Sequence, residues 1–129
     1  MAVACLALNA VLYVALGLWC ALDPATTARF VGLQPTGPAG QSEWLAVYGG
    51  LELGLGAFFA VAALRPALRS AGLLFALCLY AGIVVLRSTA ALQLGFASLG
   101  NARGMWVLEV LLLALAAPVA TSPARPGTP

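Results

Sequence analysis

Four long apolar stretches, separated by short segments rich in helix breakers, organise the chain. Ala2 to Leu22 carries no charge, and at about 1.5 Å per residue it covers roughly 30 Å, the thickness of a bilayer's hydrocarbon core. It lacks the positive n-region of a signal peptide and outruns a typical h-region. Trp19 precedes Cys20 where a lipoprotein cleavage site needs a small residue, so a retained helix is expected. Trp44 to Leu64, Ala71 to about Leu94, and Gly104 to Ala120 complete the set. The last, at about 17 residues, is near the lower limit for a span. The pattern predicts an all-α, integral-membrane four-helix bundle, a single domain over residues 1–120. Residues 121–129, with three prolines and no periodicity, are expected to be a disordered tail.

The connections are legible too. Asp23-Pro24 pairs a favoured N-cap with a favoured first helical residue. It predicts a short helix from Pro24 to Val31, stopped by Gly32 and resting at the membrane surface through Phe30, Val31 and Leu33. Gln34 to Gln41, with two prolines and two glycines, is expected as loop. Trp44 and Tyr48 suit an aromatic belt at the start of the second span. Arg65 to Ser70 forms a tight basic connection, Gly95 to Arg103 the last loop, and Pro118 is expected to help end the fourth span.

Composition supports the bilayer as solvent. The chain is 63% hydrophobic and 8% charged, whereas a soluble domain carries about 25% charged residues. The six basic residues are all arginine and form no patch, which argues against nucleic acid. If the loop at Arg65 and Arg69 is cytoplasmic, that side also holds Arg125, against Arg29 and Arg103 outside. The expectation is a multi-pass protein of the cell (inner or plasma) membrane with both termini cytoplasmic. The absence of histidine removes the commonest general base, metal ligand and haem ligand. The three cysteines, Cys5, Cys20 and Cys78, form no CxxC pair and suit buried hydrophobes. No metal, cofactor or enzymatic activity is expected.

Candidate chemistry lies inside the spans. On a helical wheel the second span has two faces. Gly50, Gly54 and Ala57 form a small-residue strip suited to helix packing, within the chain or in a dimer. Tyr48, Glu52, Gly56 and Phe59 lie roughly opposite and suggest the wall of a polar pocket. In an up-down bundle, Glu52 falls about 12 Å, Arg87 about 10 Å and Glu109 about 7 Å below the same membrane edge. Charges inside a span are costly and mark a functional or structural site. Arg87 can bridge two carboxylates with its five donors, which predicts a buried Glu52–Arg87–Glu109 cluster. Tyr80 shares the face of Arg87, and Tyr48 and Trp106 could add donors. Asn9, the polar residue of the first span, suits an interhelical hydrogen bond. Two acids against one arginine leave one carboxyl to be protonated, hydrated or neutralised by a cation.

The run Tyr48-Gly49-Gly50-Leu51-Glu52-Leu53-Gly54-Leu55-Gly56, Arg87 late in the third span and Glu109 early in the fourth resemble a bacterial family of small four-helix membrane proteins. That family is labelled only as a domain of unknown function. Asp23-Pro24 followed by Phe30-Val31-Gly32-Leu33 resembles it as well. The resemblance covers about residues 5–120 and implies four helices and an inner-membrane location, with no established activity. Gln93-Leu94-Gly95 replaces the family's acidic-glycine turn after the third span. More distantly the architecture is similar to DoxX-type proteins.

These features favour a membrane component that binds a lipid, a small ligand or another membrane protein. The partners implied are bilayer lipid and a second copy or another membrane protein. The alternative is a small, dimeric proton-coupled transporter. Four spans and a buried glutamate are similar in architecture to small multidrug transporters, although their essential acid lies in the first span. An intramembrane enzyme is the weakest reading, since Ser88 and Thr89 lack an obvious base.

Overall fold

Asp23 divides the first span from the short helix that follows, and it does so as an N-cap: its Oδ1 accepts from the Thr26 amide at 3.2 Å. In the computed structural model, which describes the backbone of residues 1–121 and side chains through residue 117, α1 runs Ala2–Leu22 and α2 Pro24–Phe30. A continuous helix α3 covers Gly37–Leu64. A 3-10 turn at Pro66–Leu68 leads into α4, Arg69–Leu94, and a second at Phe96–Ala102 into α5, Arg103–Thr121. No strand occurs among the described residues. The expected tail lies outside the described residues from residue 122 onward.

Several boundaries differ from expectation: α4 starts at Arg69 and not at Ala71, and most of the expected loop from Gly95 to Arg103 is a 3-10 helix over Phe96–Ala102. The segment expected as loop up to Gln41 is already helical from Gly37, because Pro38 sits in the first turn, where a missing N–H costs nothing. α5 is helical to Thr121, one residue past the expected Ala120, with Pro118 in the last turn described. Elsewhere the ends follow local chemistry. Gly95 closes α4 with φ +83°, a left-handed conformation that favours glycine. Arg69 Nε donates to the Ala63 carbonyl at 3.4 Å, satisfying one of the carbonyls left free at the end of α3.

Four helical segments, Ala2–Leu22, Gly37–Leu64, Pro66–Leu94 and Phe96–Ala117, are long and apolar enough to cross a membrane. Their outer surfaces expose Val11, Leu51, Leu86, Leu92 and Leu111. Length, composition and this apolar exterior are those of a multi-pass membrane protein.

The helices pack as two pairs, α1 with α3 and α4 with α5. The pairs meet at one end of the bundle, where Leu6, Tyr13, Phe59, Ala62, Ala76 and Leu112 share a core. Tyr13 and Leu112 lie at mid-helix, where the core borders the cavity, and the others come from the first half of α1 and α4 and the second half of α3. Up-down topology brings those halves to the same end. The tightest approach is between α1 and α3. A Cβ at Gly17 would lie 2.9 Å from the Leu53 amide nitrogen, and one at Gly56 would lie 2.9 Å from that of Val14.

Within the chain, this contact replaces the expected packing strip. Gly50, Gly54 and Ala57 are exposed, and a Cβ at Gly54 would meet nothing within 4 Å. The close approach is made by Gly49 and by Gly56, the latter on the face expected to line the pocket. A wheel projection discards depth. The same face of α3 lines a cavity in its first half and packs into the core in its second, where Gly56 and Phe59 are buried.

Candidate functional site

The end opposite the core is where the two helix pairs do not close. A partly open cavity of about 590 Å³ lies there, bounded by the second half of α1, the first half of α3, the second half of α4 and the first half of α5. Thr27, Phe30 and Val31, in α2 and just after it, contribute to the wall. Most of the lining is apolar. The expected site residues Tyr48, Glu52, Tyr80, Arg87 and Glu109 all line this one cavity.

The charges do not form the expected three-membered cluster. Arg87 holds Glu109 side-on, Nε donating to Oε2 at 2.8 Å and Nη2 to Oε1 at 2.9 Å. The pair joins α4 to α5 and is partly shielded, with Arg87 29% and Glu109 11% exposed at their side chains. Among the described residues, Glu52 makes no ion pair, and its Oε2 is buried without a hydrogen-bond partner. Equal depth brought the three groups to one cavity, but they sit on different helix pairs. Leu53 faces α1 at the Gly17 contact. Glu52, about 100° round the helix from it, is therefore turned off α1 and into the cavity.

The backbone just before Glu52 is itself unusual. Residues Leu45–Leu51 form a π-helical stretch within α3, a wider geometry that is rare and frequent at functional sites. It carries Tyr48, whose ring stacks on Trp44 with centroids 4.1 Å apart. Trp44 was expected in an outer aromatic belt. It is instead buried against the end of α1, its Nε1 donating to the Cys20 carbonyl at 3.4 Å, and it lines the cavity. Cys20 lies in the last turn of α1, where carbonyls lack helical partners, so the indole satisfies one of them.

Tyr80, Asn9 and Trp106 are hydrogen-bonded within the bundle. Tyr80 donates to Asn9 Oδ1, and Asn9 Nδ2 donates to the Cys5 carbonyl at 2.8 Å. The Asn9 link is thus interhelical, as its position in an apolar span implied. Trp106 does not serve the charges, because its Nε1 donates to Ser88 Oγ at 3.0 Å. Among the described residues no group of three potential metal-ligating side chains converges. Sequence reasoning missed Tyr13, which lines the cavity and stacks on Phe59 at 5.6 Å. Its signal was present: Tyr13 lies one turn after Asn9, on the same helix face.

A profile described as a domain of unknown function, DUF4345, matches residues 1–120. The chain belongs to this family. The match spans all four apolar helices and the whole cavity lining, so the site described above lies inside the family's domain. No curated protein and no solved structure matches the chain.

Proposed function

We propose that this protein is a binding component of a cell membrane whose cavity holds a small, largely apolar ligand, drawn from the lipid phase or delivered through it. The observation that carries this reading is the cavity of about 590 Å³ with mostly apolar walls and one buried, unpartnered carboxylate oxygen at Glu52. Small-molecule sites have this character: about 300–1,000 Å³, apolar walls and a few placed polar groups. The Arg87–Glu109 pair ties α4 to α5 beside the cavity and holds that wall in register. The role is binding and not catalysis. Both termini lie on the cytoplasmic side, with Arg65 and Arg69 in the cytoplasmic connection and the cavity in the outer half; in a bacterial host this is the inner membrane.

Native mass spectrometry of the protein released from lipid nanodiscs tests the reading. A bound non-protein mass is expected, and Ile83→Trp, which fills the cavity from its α4 wall, expels it. A bare protein mass in both samples ends the proposal.

Glu52 also favours a second reading, proton-coupled transport, because a lone acid in a partly open cavity can exchange a proton for a substrate. Ligand-driven proton release in weakly buffered detergent solution separates the two. Binding without release leaves the component reading alone.

A further inference from the structure

We infer that the ligand is a monocation with an apolar body, held by Glu52 as counter-charge beside the Trp44–Tyr48 ring pair; this rests on the cavity being a ligand site. Charge decides the class. Arg87 and Glu109 neutralise one another in a side-on pair. Glu52 is left as the cavity's uncompensated group, with Oε2 buried and without a partner among the described residues. The two carboxylates and the one guanidinium of the lining then sum to one negative charge, which a monocation cancels. An anion would meet a lone carboxylate and an arginine whose charge is already matched.

The surroundings agree with the charge. Tyr48 lies one turn before Glu52, and Trp44 stacks upon it. Aromatic faces are negative and attract cations, most strongly where water is excluded. Leu12, Leu16, Ile83 and Leu108 supply apolar wall for the rest of the molecule. An ammonium or phosphonium centre carrying hydrophobic groups meets all three conditions: it has one charge, tolerates ring faces and prefers apolar walls to water.

The experiment uses three probes of similar shape and different charge on the full chain in a neutral detergent: tetraphenylphosphonium, triphenylphosphine oxide and tetraphenylborate. Dissociation constants are measured by equilibrium dialysis against protein-free micelles. Tetraphenylphosphonium is expected to bind about tenfold or more tighter than the neutral oxide, with tetraphenylborate weakest. Glu52→Gln should abolish the preference, and Glu52→Asp, which keeps the charge, should retain it. If the oxide and the phosphonium bind alike to wild type, or Glu52→Gln keeps the preference, the cation assignment falls while the ligand site stands. If no probe binds wild type above the micelle background, both fall. The wild-type ranking decides the matter even if a variant does not fold.

Discussion

Arg87 and Glu109 are locked edge to edge, Nε to Oε2 at 2.8 Å and Nη2 to Oε1 at 2.9 Å, while Glu52 in the same cavity shares neither. Two of the five guanidinium donors are used, and they tie α4 to α5 about two turns of helix away from the loop that joins them. The unequal partnering predicts opposite responses to removing each charge.

Arg87→Met should destabilise the protein by about 2 kcal/mol, between the roughly 0–1 of exposed pairs and the 3–5 of fully buried ones. The double variant Arg87→Met, Glu109→Gln should recover most of that loss, because no charge is left stranded. Denaturant unfolding in mild detergent measures both. Equal losses in the single and double variants would show that the pair is not the source.

Glu52→Gln should leave the melting temperature unchanged or raise it. The carboxylate oxygen has no partner to lose among the described residues, and an uncompensated charge in an apolar cavity is a cost to folding. A clear fall in melting temperature would mean that Glu52 is compensated in the folded protein.

Two glycines of α3 should behave oppositely. A Cβ at Gly56 would meet Val14 Cγ2 at 2.6 Å and the Val14 backbone nitrogen at 2.9 Å. Gly56→Ala should therefore cost about 1–3 kcal/mol by forcing α1 and α3 apart. At Gly54 the added methyl meets nothing within 4 Å, so Gly54→Ala should be neutral or gain up to about 1 kcal/mol from helix propensity. Melting curves of the two variants compare them directly.

Tyr80→Phe should cost about 1–2 kcal/mol, since it strips Asn9 Oδ1 of its buried donor. Adding Asn9→Leu should restore part of the loss by removing the orphaned amide. If Tyr80→Phe alone is silent, the link contributes nothing to holding α1 against α4.

Much of this architecture can be read without coordinates. Run length and scarcity of charge mark the four helices long and apolar enough to cross a membrane. Asp23-Pro24 determines the break between α1 and α2 through local capping, and Gly95 determines the end of α4. Depth is also legible, since rise per residue is constant, which is why Glu52, Arg87 and Glu109 were expected together. Rotation about each helix axis is not legible. Both faces of α3 carry glycine, and only the close approach of Gly17 and Gly56 to the partner helix decides which one packs within the chain. That choice turns Glu52 into the cavity and away from an ion pair. It also sends Trp44 inward to the Cys20 carbonyl and leaves Arg87 to Glu109 alone. Sequence determined which groups share a level of the bundle, because that depends on local geometry summed along one chain. Tertiary structure decided which of them touch, because that depends on how four helices fit around their smallest residues.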